Sequence, residues 1–312
     1  MNDTVLIQSM VVAITAGTPL VLAGTGEILT QRSGIVNLGV EGMMLMGAVT
    51  GFWATTATGS AWLGIAVAML AGMATALIHG VLTIHLYANQ IVSGIGIVIF
   101  GSGLSQFIGE QGSPPIASRS RGGSFEPLFR GEIADVPIVG PLLFSHDAIV
   151  YLSWAFAAAS SWYLFRTRAG MQVRAVGHNP GAVDAAGIAV ARTRMTHVAV
   201  GGAAAGAGGG HMTLALFNSW SAGITAGVGW LAVVLVILAA WRPWRMLFAA
   251  YTLGAISSLG FTFQLLGVGV PREVLSMLPF IVTFVVLIVS TATGGAGRAP
   301  RALGEPYIRE RR

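Results

Sequence analysis

The chain has no cysteine and no lysine; all 17 of its basic residues are arginine. Without cysteine there can be no disulfide and no thiolate metal site, and the redox compartment leaves no trace in the sequence. Without lysine, Schiff-base chemistry and lysine nucleophiles are excluded. Charge of either sign is scarce: 9% of the 312 residues are charged, against about 25% in an average soluble domain. A soluble fold this poor in charge would lack the polar surface to cover itself.

The charge is missing in blocks. Residues 4–26, 42–109, 148–165, 195–241, 246–271 and 274–297 contain no Asp, Glu, Lys or Arg. Crossing about 30 Å of hydrocarbon at about 1.5 Å per residue takes about 20 apolar residues. Core helices of soluble proteins do not carry uncharged runs this long. The fold class that follows is all-α: a polytopic integral membrane protein. The 43 glycines agree with this, because glycine is common in membrane helices and lets backbones approach.

The runs predict about nine transmembrane helices, with eight or ten as alternatives, since glycine-broken segments can dip in and return. The first crossing is 4–26. Its N-terminus, Met1–Asp3, carries no positive charge and the apolar run exceeds a signal core, so it reads as a retained helix. Three crossings lie between Gly34 and residue 109, with breaks near Thr56–Ala61 and Tyr87–Gln90. One is 148–165. The run 195–241 holds two, the second shorter, parted near Asn218–Gly229. The last two are 246–266 and 275–292. These make a single membrane domain over 1–292, followed by a tail over 293–312.

Orientation follows from the arginines. The loop 166–194 has Arg166, Arg168, Arg174, Arg192 and Arg194 against Asp184. Arg242 and Arg245 form a second basic turn, and the tail adds Arg298, Arg301, Arg309, Arg311 and Arg312 against Glu305 and Glu310. All three belong in the cytoplasm, and the C-terminus with them. The proline-containing loop 110–147 has only Arg119, Arg121 and Arg130 against Glu110, Glu126, Glu132, Asp135 and Asp147; it belongs outside. The net charge of +5 therefore reads as membrane orientation, not as a nucleic-acid surface.

The first four and last four crossings form two blocks inverted by the one between them. Each block has a glycine-rich break after its first helix, near Gly26–Gly42 and Gly223–Gly229. Either the pattern is an inverted repeat with broken helices, whose matching breaks point to a solute path, or it is a chance likeness between glycine-rich segments. The first break is the densest polar feature. Glu27, Arg32, Asn37 and Glu41 interrupt apolar sequence there, where an unpaired ion costs several kcal/mol. Either they line a path or hinge, or they sit in an interfacial loop where Glu27 pairs with Arg32. Asn89, Gln90 and Ser93 open the fourth crossing, with Asn89 also suited to cap it. Asn218, Ser219, Ser221 and Thr225, in the second break, and Gln264 are further candidates for the path, though each alone also suits a cap or a helix contact.

No catalytic or metal pattern appears. His79, His85, His178, His197 and His211 lack ligand spacing, and there is neither an H-E-x-x-H nor a G-x-S-x-G sequence. Gly206–Gly210 lacks the Lys-Ser/Thr of a phosphate-binding loop. ATP-driven work would need another subunit. On the inner side, Asn179-Pro180 starts a short helix through Asp184, Ala185 and Ala186, and Gly187 can end it. Either it is a solvated connector or it docks a peripheral partner.

Taken together, three separated motifs resemble the ABC-importer permeases of ribose, nucleoside and branched-chain amino acid systems. They are Gly26-Glu27 with Arg32 to Met44, Asn89 to Gly94, and Gly177-His178-Asn179-Pro180 with Ala185-Ala186-Gly187-Ile188. The first two are typical of the nucleoside and simple-sugar branch. The third is similar to the family's coupling loop, although His178 stands where glutamate is commoner. Gly227 to Trp230 and Met277 to Thr283 match the later half. The resemblance implies a permease without catalytic residues or cofactor of its own, in a bacterial cytoplasmic membrane. It implies a second permease, often a different chain, and an extracytoplasmic solute-binding protein. A separate ATPase subunit would hold ATP and Mg. Transport would proceed by alternating access driven through Gly177, His178, Asn179, Pro180, Asp184, Ala185, Ala186, Gly187 and Ile188. Nucleosides are the expected solute, with simple sugars or branched-chain amino acids as alternatives. An ion-coupled secondary transporter is the alternative from another class, with Glu41 as its one supporting feature.

Overall fold

The computed structural model describes residues 3–111, 115–116, 125–129, 136–265, 271–292 and 299–309. Arg119, Arg121, Arg130, Glu132 and Asp135 of the expected outer loop lie outside the described residues, as do Arg298, Glu310, Arg311 and Arg312 of the tail. Among the described residues there are helices and one isolated β-bridge, Pro127 with Asp147, but no strand. The helices are α1 (Asp3–Arg32), α2 (Val40–Thr58), α3 (Ala61–Gly80), α4 (Gln90–Glu110), α5 (Val139–Phe144) and α6 (Ala148–Arg166). They continue with α7 (Arg168–His178), α8 (Pro180–Ala185), α9 (Val190–His211), α10 (Val228–Leu238), α11 (Pro243–Leu265) and α12 (Arg272–Ala292). Single π-helical turns extend α3 to His85 and α9 to Leu216.

All nine expected crossings have a helix at their position: α1, α2, α3, α4, α6, α9, α10, α11 and α12. Four are long and apolar enough to cross a membrane: α1 from Ile7, α3 with its π turn, α4 and α6. Two boundaries differ from the sequence reading. The first helix does not stop at Gly26 but continues to Arg32, because the polar side chains of its last two turns find partners inside the protein. The shorter crossing expected over 229–241 is an 11-residue helix, α10. At about 1.5 Å per residue it is about 16 Å long, half the hydrocarbon thickness. With the irregular stretch 217–227 before it, it forms a broken element.

Side-chain caps fix several helix starts. Ser60 accepts from the Leu63 amide, Asn89 from Ile91 and Val92, Asp147 from Ile149 and Val150, and Thr167 from Gly170. α1 is the central post: every residue from Gly17 to Gln31 is buried. A helix that is apolar all round belongs inside a bundle. α9 and α11 pack along opposite parts of it, and α3 packs along the far side of α9. Exchanging α1 with α9 and α3 with α11 maps the α1–α11 contact onto the α9–α3 contact.

The glycines of α9 set these distances. A Cβ on Gly206 would lie 2.2 Å from the Ala68 carbonyl oxygen, and one on Gly209 would lie 1.9 Å from that of Met44. Small residues replace hydrophobic burial as the means of helix association in lipid. The Gly206–Gly210 run is thus a contact between helices. Facing outward, α4 exposes Ile95, Ile99 and Phe107, and α12 exposes Ile281, Phe284 and Ile288. These surfaces suit acyl chains and not water.

Candidate functional site

The break between α1 and α2 is a buried polar joint. Glu27 and Gln31 stand one turn apart on α1, so their side chains meet: Gln31 Nε2 donates to Glu27 Oε1 at 2.8 Å. The Asn37 amide donates to the same oxygen at 3.2 Å. Gln31 Oε1 in turn accepts from Trp241 Nε1 at 2.7 Å. Glu27 is 1% exposed, and among the described residues its Oε2 has no hydrogen-bond partner. Arg32 does not pair with Glu27. Its Nε and Nη2 donate to the Trp241 carbonyl at 3.2 and 3.0 Å. Ala240 and Trp241 both have φ of +53°, a left-handed conformation costing about 1–2 kcal/mol per residue. The Arg32 fork holds that turn in place.

The loop after Arg32 is held from α3 and α4. Gln90 Oε1 accepts from the Val36 amide at 2.7 Å. His79 bridges the Val36 carbonyl, 3.1 Å from Nε2, and Ser93 Oγ, 3.0 Å from Nδ1. Asn37 Oδ1 accepts from the Gly39 amide at 3.0 Å, which shapes the entry to α2.

Glu41, at the start of α2, joins the two breaks. Its Oε1 accepts from Thr225 Oγ1 at 2.6 Å and from the Gly227 amide at 2.9 Å. Its Oε2 accepts from the Gly229 amide at 2.7 Å. The first amides of a helix lack intrahelical acceptors and carry its positive dipole end. Glu41 supplies both the acceptor and the opposite charge to α10. Gly229 must be glycine here, since a Cβ would lie 2.5 Å from the Glu41 Cα.

Of the residues singled out in the sequence, Glu27, Asn37, Gln90 and Ser93 therefore meet around the first break, and Glu41 links it to the second. Asn89 caps α4 through Oδ1 at 2.9 and 3.1 Å. Asn218, with φ +52°, donates to the Ala215 carbonyl in the second break. Gln264 lies on α11. Thr225, singled out in the second break, bonds Glu41. Reasoning from sequence missed Gln31, His79 and Trp241 as parts of the site. Only spacing could have flagged Gln31, one turn after Glu27; nothing local marks Trp241.

The second assembly is the 166–194 loop. Asn179 Oδ1 accepts from the Ala182 amide at 3.0 Å and caps α8, with Pro180 in its first turn. Gly187, at φ +81°, ends it. Val176, Val183 and Val190 form a small core beneath, with Ile188 and Tyr307 against it. This platform touches the first break directly. A Cβ on Gly177 would lie 2.3 Å from the Arg32 carbonyl oxygen. Residues 299–309 lie over the seam. The Ala302 amide donates to the Gly177 carbonyl at 2.9 Å, and the Gly304 amide to the Gly34 carbonyl at 3.2 Å. Arg194, assigned by sequence to the inner surface charge, is 2% exposed and donates to the Glu305 carbonyl at 3.2 Å. Arg309 pairs with Asp184 at 3.3 Å. The Arg301 amide donates to His178 Nδ1 at 3.3 Å. Burial, then the nearby Arg32, Arg301 and Arg174, hold the His178 imidazole below its ordinary pKa.

A third polar contact ties α6 to the far end of α9. His211 Nε2 lies 3.2 Å from Asp147 Oδ2. Burial opposes ionisation of Asp147, but His211 and the Ile149 and Val150 amides together hold its carboxyl below the ordinary range.

Residues 9–287 match the family described as branched-chain amino acid transport system / permease component. A Haloferax volcanii protein that carries the name of a glucose ABC transporter permease is 35% identical, over 95% of this chain and 96% of the relative. The guanosine ABC transporter permease protein NupQ of Bacillus subtilis is 32% identical over 99% and 100%. The nucleoside ABC transporter permease protein NupC of Lactococcus lactis is 31% identical over 94% of each. No solved structure matches.

Proposed function

The chain belongs to the branched-chain amino acid transport permease family, and on that premise we propose that it is the membrane subunit through which an ABC importer moves nucleosides. The observation that carries this is near-full-length similarity to nucleoside permeases, in a chain whose two broken elements meet at one carboxylate. Similarity to a protein named for glucose transport supports simple sugars as the second reading. The chain is a transport subunit and not an enzyme in its own right. In this reading a separate ATPase hydrolyses ATP with Mg, a second permease completes the pore, and an outer solute-binding protein delivers the solute.

The proposed topology puts α7, α8 and residues 299–309 in the cytoplasm of a bacterial inner membrane. α8 is the docking element for the ATPase. Movement of that platform reaches the first break through the close contact of Gly177 with Arg32 and the paired amides of Ala302 and Gly304. From there it reaches α10 through Glu41. Glu27, Asn37, Gln90 and Ser93 border the path and hold the hinge loop, with Asn89, Asn218 and Gln264 nearer its ends. Helix halves that end at matching breaks suit rigid rocking of one repeat against the other.

Uptake of radiolabelled guanosine and glucose into right-side-out, ATP-loaded vesicles of the assembled transporter, with its solute-binding protein added outside, tests this. Uptake is expected to require ATP, to persist when an uncoupler collapses ion gradients, and to favour guanosine. ATP-independent uptake driven by an ion gradient would refute it, and preference for glucose would select the second reading.

A further inference from the structure

Between α3, α6 and α9, with Leu22 of α1 in its floor, runs a lateral groove of about 590 Å³. Ile65, Met69, Ile149, Leu152 and Ala203 make its wall apolar. Met69, Leu152 and Val200 are partly exposed along its mouth, so it opens sideways toward lipid. Thr196 and Ala199 continue it into a second hollow of about 460 Å³, which Arg192 and His85 also line. Arg192 and His85 are both exposed. Among the described residues no acidic side chain pairs with Arg192.

From Thr196 to Ala207 the wall follows α9 for about 16 Å, half of the hydrocarbon thickness, so the groove is one leaflet deep. A basic pocket between membrane helices at the inner surface suits an anionic headgroup. We propose that this groove holds an acyl chain of an anionic phospholipid, with its phosphate on Arg192 and His85 beside it. Placing the headgroup in the inner leaflet rests on the topology proposed above; the binding does not, nor does it depend on transport.

Lipid tails gain little by leaving other tails, so the discrimination comes from Arg192. One arginine near a membrane surface contributes about five-fold in favour of an anionic headgroup. The test equilibrates the full-length chain in nonionic micelles with equal amounts of phosphatidylglycerol and phosphatidylcholine, then measures co-purified lipid by mass spectrometry. About five-fold enrichment of phosphatidylglycerol is expected, falling to parity in Arg192→Gln, with total retained lipid reduced in Ala203→Phe. Equal retention by the unaltered chain, or enrichment that survives Arg192→Gln, overturns the proposal. The chain has no cysteine, so Ala203→Cys can carry a photo-crosslinker in native membranes. This second arm stands even if Ala203→Phe does not fold. A phospholipid adduct supports the site, and a polypeptide adduct overturns it.

Discussion

Removing the Glu41 side chain should unfasten α10 from α2. In Glu41→Ala the amides of Gly227 and Gly229 and the hydroxyl of Thr225 lose their acceptor. The hydroxyl can turn to another acceptor, but the amides cannot. A buried donor left unmade costs about 1–3 kcal/mol. The lost charge at a partly buried helix start adds about 0.3–2 kcal/mol. The sum is about 2–8 kcal/mol, a large share of the roughly 5–15 kcal/mol that holds a typical protein folded. Glu41→Gln keeps one acceptor oxygen and should cost about 1–3 kcal/mol. The assay is reversible unfolding of the purified chain in mixed micelles, followed by tryptophan fluorescence, since Trp230 lies in the first turn of α10 and Trp241 just beyond its end. A double-mutant cycle with Thr225→Val should give a coupling of about 0.5–3 kcal/mol. A loss below about 1 kcal/mol in Glu41→Ala, or no coupling to Thr225, would refute the reading of this carboxylate as the fastener between the two breaks.

Gly206→Val should overpack the α3–α9 contact by about 1–3 kcal/mol or more, because the atom it meets is a backbone oxygen that cannot turn aside; a normal yield of monodisperse protein would contradict this. Asn179→Ala should cost α8 its cap, about 1 kcal/mol, and lower the amount of ATPase that co-purifies, while membrane abundance stays unchanged. Unaltered co-purification, even with 179–188 replaced by glycine and serine, would remove α8 as the docking element. The His178 pKa lies below 6.5 in the fold, so the neutral ring that accepts from Arg301 is favoured at pH 7. Its contribution is complete above pH 6.5 and is lost as the pH falls from there through the lower folded value. Limited proteolysis near Arg301 should therefore speed up in mild acid, and His178→Phe should remove that pH dependence.

Helix positions were legible because lipid tolerates so little charge: each uncharged run became a helix at its expected place. Helix ends were less legible. Glu27, Gln31 and Arg32 look like the end of a crossing on any hydropathy scale. They are helical because Asn37 and the Trp241 turn, ten and some two hundred residues away, satisfy them. The first break was visible as a cluster of polar residues, and Glu41 was found in it. Thr225 was among the candidates of the second break, but the amides of Gly227 and Gly229 were not, since a backbone amide carries no side-chain signal. The docking of residues 299–309 was equally hidden. It depends on amides and carbonyls of Gly34 and Gly177, while the sequence shows only charge. The burial of Arg194 was hidden too, because counting arginines cannot tell a surface charge from a buried guanidinium with a carbonyl waiting for it.

The backbone contacts of α9 also limit how the bundle can move. Gly202, Gly206 and Gly209 each lie against a fixed atom of a neighbouring helix. A shift of α9 by one turn, about 5.4 Å, would bring Thr213 into the Gly209 notch in one direction, and Val198 and Ala205 into the Gly202 and Gly209 notches in the other. The notches act like the teeth of a zip, which oppose sliding along the axis. In the transport cycle proposed above, each stroke would then tilt the meshed slab of α2, α3 and α9 as one piece, with bending left to the two short unwound stretches.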